Sequence, residues 1–136
     1  MKRSVLIGLY VGLLSGVAAA ATAYLISAFT GLWFSQLNLF SILMASIIPN
    51  ITGGLIFTKL FQKTSRPKLF YFLLTAGVTL LLTIFDIANP PAENFGIVAH
   101  PVHFVVALFS IWLIPRWLKQ EEESLAEDYQ KEPKTL

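Results

Sequence analysis

The chain reads as an all-α protein, a four-helix transmembrane bundle in up-down topology with both termini cytoplasmic, and three observations predict it. No Lys, Arg, Asp or Glu occurs between Arg3 and Lys59. Of the 136 residues, 55% are hydrophobic and 13% charged, against about 25% charged in a soluble domain. Charged or Pro-rich breaks divide the chain into four apolar stretches, each close to the roughly 20 residues that a hydrocarbon core of about 30 Å requires.

The spans fall at residues 5–29, 40–60, 69–88 and 97–117, so that residues 1–118 form the membrane domain and residues 119–136 a polar extension. The connections, residues 30–39, 61–68 and 89–96, are short enough for sequential neighbours to run antiparallel. Lys2 and Arg3 precede the first span, Lys59, Lys63, Arg66 and Lys68 flank the second connection, and Arg116 and Lys119 close the fourth span. The other two connections hold no Lys or Arg, so the positive-inside rule places both termini and the middle turn in the cytoplasm of a cell, inner or plasma, membrane. Trp33 and Phe34 at one boundary, and Phe70, Tyr71 and Trp117 at the other, are the aromatic residues that settle at headgroup depth.

In the first span Ser4, Gly8, Gly12, Gly16 and Ala20 recur every four residues and make one ridge of small side chains. Lipid gives helices little hydrophobic reason to associate, so such a ridge works through close van der Waals contact. Its partner is either another span of the same chain or, in a homo-oligomer or with another membrane protein, a second molecule. Lys2-Arg3 followed by an apolar run and the alanines at 18–21 also resembles a cleavable signal peptide. The run continues past the alanines to Phe34, long enough to span, and an uncleaved first helix is expected.

The second span holds Pro49-Asn50 and Gly53-Gly54. Pro49 removes a backbone donor and displaces the Ala45 carbonyl, which predicts a kink whose freed groups need a partner, with Asn50 as a candidate, in a helix whose Asn bonds across the bundle. A helix broken at this point and lining a small polar cavity is the functional alternative. In the fourth span Pro101 suits a first helical turn and disfavours helical dihedrals at His100. The helix is therefore open to starting at His100 or Pro101, with residues 94–99 as a short interfacial or re-entrant piece. After Trp117 the chain turns polar, with Glu121, Glu122, Glu123, Glu127 and Asp128, and too few apolar residues to fold alone, which predicts a disordered cytoplasmic tail, with a partner-docking helix as the alternative.

Asp86, Glu93, His100 and His103 are the chemical-looking residues of the membrane domain, and they include both histidines. At about 1.5 Å per residue, Asp86 and His100 fall within roughly a turn of the outer boundary, while Asn50 and His103 lie roughly 10 Å deep. Asn50, Asp86, His100 and His103 can therefore form one polar pocket if their helices face the same interior. Three uses of the group stay open: a hydrogen-bonded clamp between the third and fourth spans, a divalent metal held by His100, His103 and Asp86, or proton and solute handling.

Other chemistries are excluded. The absence of Cys removes disulfides, thiolate catalysis, Cys-ligated zinc and iron–sulfur clusters. There is no basic stripe for nucleic acid, no Gly-rich phosphate loop, no His-Glu-x-x-His and no Gly-flanked Ser elbow. Two histidines on one helix do not make the opposed pair that clamps a haem. The first span lacks the carboxylate that small multidrug-resistance exporters of this size use for coupling. No cofactor is expected and no catalytic residue can be named.

The Gly/Ala-rich first span, the Pro49…Gly53-Gly54 break, Arg66-Pro67 opening the third span and His103 in the fourth resemble a family of small, uncharacterised four-helix bacterial integral membrane proteins, a domain of unknown function. The resemblance covers residues 5–117. It implies an architecture and no activity, and His100 and the acidic extension depart from it. The expectation is a non-enzymatic membrane protein with a structural, accessory or interaction-mediating role. A small transporter, channel or metal-binding protein using the Asn50, Asp86, His100 and His103 pocket is the alternative.

Overall fold

The computed structural model describes residues 2–132, which form four α-helices: α1 (Lys2–Thr30), α2 (Leu39–Lys63), α3 (Pro67–Ala88) and α4 (Phe95–Lys131). All four are long and apolar enough to cross a membrane. A 3-10 turn at Ser35–Leu37 lies between α1 and α2. The ends follow from local chemistry. Gly31 takes a left-handed φ of 73° after α1, where a glycine meets no steric cost, and its N–H bonds the Ser27 carbonyl. Asn38 caps α2 by accepting the Ser41 N–H at 2.9 Å. Pro67 occupies the first turn of α3, where its missing N–H has no helical partner to lose.

α1 packs along α2 and α4, and α3 leans against α4 and α2. The small-residue ridge of α1 is the seam with α2. A Cβ added at Gly8 would fall 2.5 Å from the Asn50 carbonyl oxygen, at Gly12 2.6 Å from the Ile47 Cα, and at Gly16 2.8 Å from Leu43 Cδ2. Gly54 answers from α2, where an added Cβ would stand 2.6 Å from the Ser4 carbonyl oxygen. The ridge from Ser4 to Gly16 therefore meets a span of the same chain. Ala20, next in the series, packs beside a cluster formed by Ala19, Ala23, Ile42, Val98 and Val102. A second cluster joins Ile7, Val11, Phe57, Tyr71, Leu113, Ile114 and Leu118.

The outward face is hydrocarbon. Leu6, Leu14, Val17, Leu25, Leu80, Leu81, Phe85 and Phe104 are all exposed, and Tyr71 is the one buried residue of α3. The accessible surface is 9067 Å², whereas a compact water-soluble monomer of this mass would show about 7,100 Å². Exposed apolar side chains on all four helices, and an α4 that outruns the bundle, contribute to it.

Two alternatives raised by the sequence, and one expectation, the disordered tail, are corrected. α2 is an unbroken α-helix through Pro49, Asn50, Gly53 and Gly54, so the chain does not form a broken helix there. α4 begins at Phe95 and carries Pro101 and Pro115 in its interior, so residues 94–99 are not a separate re-entrant piece. Asn94, at a left-handed φ of 60°, makes the sharp entry that allows this. The polar extension is helical to Lys131 and is not an irregular tail over that length. Its Glu, Ala, Leu, Lys and Gln residues are good helix formers, a preformed α4 removes the nucleation cost, and Lys119 and Glu123 pair at 3.7 Å. At about 1.5 Å per residue, the 37 residues of α4 reach about 55 Å, well beyond a hydrocarbon core of about 30 Å. The remaining tail positions, residues 133–136, lie outside the described residues.

Candidate functional site

Three hydrogen bonds between polar side chains cross the helix interfaces. The Ser4 and Thr58 hydroxyls meet at 2.6 Å, Asn50 Nδ2 donates to Ser15 Oγ at 3.3 Å, and the Tyr71 and Ser110 hydroxyls meet at 2.6 Å. In hydrocarbon an unmade bond has no water to replace it, so these contacts also fix which helix faces which.

Asn50 sits at the centre of the interior and is 1% exposed. Its Nδ2 also donates to the Ser46 carbonyl at 2.7 Å. It is thus turned to Ser46 and, across the α1–α2 seam, to Ser15, as the sequence reading of an Asn bonding across the bundle expects; the Ala45 carbonyl freed by Pro49 is not its partner. The reason is reach: the side chain folds back along its own helix to the carbonyl four residues earlier. Asn50 Oδ1 is buried and has no hydrogen-bond partner among the described residues.

A cavity of about 380 Å³ lies between α2, α3 and α4, with Asn50 and Ser46 on one wall, Tyr71, Thr75 and Thr79 on the second, and His103 and Ser110 on the third. Ile42, Ile56, Val78, Leu82, Val102 and Val106 complete the lining, so a polar stripe runs through an apolar chamber. The stripe on α3 follows positions i, i+4 and i+8, a helical periodicity visible in the sequence. Tyr71, Thr75, Thr79 and Ser110 were not among the sequence candidates; that periodicity is the signal that could have found three of them.

The four residues expected to share one pocket divide between two places. Asn50 and His103 line the central cavity, whereas Asp86 and His100 line a separate groove with Pro90, Asn94 and Phe95. Asp86 approaches His103 as well as His100, with His103 Nδ1 3.8 Å from Asp86 Oδ2. That is an ion-pair distance, too long for a hydrogen bond. Rotation separates His100: three residues before His103, it is turned about 60° around the helix, and its ring packs over Gly96, where an added Cβ would meet it at 2.7 Å. His100 Nε2 and His103 Nδ1 are both buried without a partner among the described residues.

Among the described residues no three His, Asp or Glu side chains are grouped so as to hold a metal ion. The trio His100, His103 and Asp86 is therefore not assembled as a ligand set. What the arrangement offers is a half-buried Asp–His contact between α3 and α4, and beside it a chamber whose α2 wall carries Asn50, with its Oδ1 buried and unpartnered among the described residues. No protein-family model, curated protein or solved structure matches this chain.

Proposed function

We propose that this is a non-enzymatic, multi-pass protein of the cell membrane that holds a small solute in the α2–α3–α4 cavity, as a binding protein or a small transporter. The observation behind this reading is that Asn50 Oδ1, on a residue lining that cavity, is buried with no hydrogen-bond partner among the described residues, and that His103 on the facing wall has no hydrogen bond at Nδ1, only the Asp86 carboxylate at 3.8 Å. Buried polar groups are nearly always satisfied, and an exception inside an apolar bundle calls for a bound partner. The volume of about 380 Å³ falls in the roughly 300–1,000 Å³ typical of small-molecule sites.

The orientation proposed is up-down, with both termini and the α2–α3 turn cytoplasmic. Supporting it, one core cluster joins the start of α1 and α3 to the end of α2 and α4, and the other joins the end of α1 to the start of α2 and α4. All Lys and Arg of the membrane domain then lie on one side.

An accessory role is favoured by a different observation, the 22-residue α3 with Tyr71 alone buried, whose apolar face is free for lipid or another membrane protein. Native mass spectrometry of the protein released from membranes tests the first reading. A small-molecule adduct that Val78→Trp removes is expected, since Val78 lines the cavity on the loosely packed helix. No adduct on the parent protein, or the same adduct on the filled variant, would favour the accessory role.

A further inference from the structure

We infer that the α2–α3–α4 cavity selects a neutral, lipophilic molecule carrying a hydroxyl or N–H donor, of the long-chain alcohol type, over an equally apolar molecule without one; this rests on the solute-binding reading above. The basis is which protons in the cavity are already committed. A backbone carbonyl only accepts, so the Asn50 atom 2.7 Å from the Ser46 carbonyl oxygen must be the amide nitrogen. The orientation of the amide is thereby set. Its second N–H goes to Ser15 Oγ, which in turn donates to the Gly12 carbonyl at 3.2 Å. Both Asn50 donors are used, and Oδ1 remains as a buried acceptor with nothing to accept from.

The wall hydroxyls repeat the pattern. Ser46 donates to the Ile42 carbonyl at 2.7 Å, Thr52 to that of Ile48 at 3.0 Å, and Thr79 to that of Thr75 at 2.8 Å. Each keeps lone pairs and offers no proton. Pro49 adds another acceptor, because it lacks the N–H that would have engaged the Ala45 carbonyl, and Ala45 and Pro49 both line the cavity. The remaining donors lie off the α2 wall: the Gln36 amide at one end, the Thr75 hydroxyl and one proton of the mutually bonded Tyr71–Ser110 pair, and the His103 ring, whose Nδ1 is turned to Asp86.

Acceptors therefore exceed donors along the α2 wall, and an incoming O–H or N–H supplies what the protein lacks. Among the described residues no Lys, Arg, Asp or Glu lines the chamber, so neither an anion nor a cation finds a counter-charge. An apolar body matches the rest of the lining. A hydrocarbon or an ether of the same shape would fill the space and bring no proton to the acceptors of the α2 wall.

The test uses the full chain in phosphatidylcholine nanodiscs with two photoreactive probes, a diazirine-bearing decanol and its methyl ether, and maps the adducts by peptide mass spectrometry. Decanol is expected to label cavity residues such as Val78 and Val106 about tenfold more than the ether at equal concentration. Val78→Trp should abolish that labelling, and Thr52→Val, on an outward-leaning position, should narrow the preference while leaving the fold intact. Equal labelling by both probes, or more by the ether, would overturn the donor requirement and leave the solute-binding reading standing. Labelling that persists in Val78→Trp would mark contact with the lipid-facing surface and overturn the inference. No cavity labelling by either probe would bring down both readings together.

Discussion

The Tyr71 phenol and the Ser110 hydroxyl lie 2.6 Å apart in the interior, and Tyr71 is the only residue of α3 that the bundle buries. This contact, with the edge-on packing of Tyr71 against Phe57 at 5.4 Å, anchors α3. Tyr71→Phe keeps the ring and loses the hydrogen bond, which in a membrane interior is worth about 0.6 kcal/mol on average and about 1.7 at most. Tyr71→Ala also loses the packing and should cost about 3–5 kcal/mol. Detergent unfolding titrations should rank the parent above Tyr71→Phe and Tyr71→Ala last. Equal stability of the parent and Tyr71→Ala would mean that α3 is not held here.

Glycines separate seam from surface. Gly12 opposes the Ile47 backbone, which cannot rotate away, whereas a Cβ at Gly77 meets nothing within 4 Å. Gly12→Leu should force α1 from α2 at a cost above the usual overpacking penalty of about 1–3 kcal/mol. Gly77→Ala should be neutral or gain about 0.5–1 kcal/mol from helix propensity. Thermal stability of the two variants in one detergent checks this, and a Gly12→Leu protein as stable as Gly77→Ala would contradict the seam.

Much of this architecture was legible because hydrocarbon imposes a simple rule. A helix must stay apolar for its whole crossing, so Lys59, Arg66-Pro67 and the Pro90-Pro91 connection mark ends that the helices respect within a few residues. The small-residue ridge also showed in the spacing, though only coordinates could identify α2 as its neighbour. The helical course of residues 119–131 was misread because low hydrophobicity argues against tertiary packing, not against continuing a helix already begun. For the site, spacing along the chain carries a position along each helix and leaves its rotation to the packing. Asn50 and His103 reached one cavity, but His100, sharing a helix with His103, faces elsewhere. Thr75 and Thr79 carry no signal beyond their spacing, since a hydroxyl in an apolar helix can bond a backbone carbonyl, as Thr79 does, and Tyr71, expected at headgroup depth, is instead buried against Ser110.

The Asp86–His103 pair joins α3 to α4 at 3.8 Å with side chains 18% and 29% exposed. At that distance and exposure, Asp86→Asn and His103→Gln should each change stability by no more than about 1 kcal/mol. Zinc added to the purified protein should leave its thermal midpoint unmoved, in the parent and in His103→Ala alike. A zinc-dependent rise that His103→Ala removes would restore the metal reading.

Orientation is open to direct measurement because the chain contains no Cys, so that every introduced thiol reports alone. Lys63 and Glu93 are both exposed, one at the end of α2 and one in the α3–α4 connection. If the basic connection faces the cytoplasm, a membrane-impermeant maleimide applied to intact cells should modify Glu93→Cys and spare Lys63→Cys, and permeabilisation should make both reactive. The charge removed in each variant is a small part of the asymmetry: Lys59, Arg66 and Lys68 remain around the α2–α3 turn, and the α3–α4 connection holds no Lys or Arg in either case. Insertion should therefore follow the parent. Labelling of both thiols in intact cells would mean that some copies insert in the opposite sense, and labelling of Lys63→Cys alone would reverse the orientation and place the α3–α4 groove in the cytoplasm.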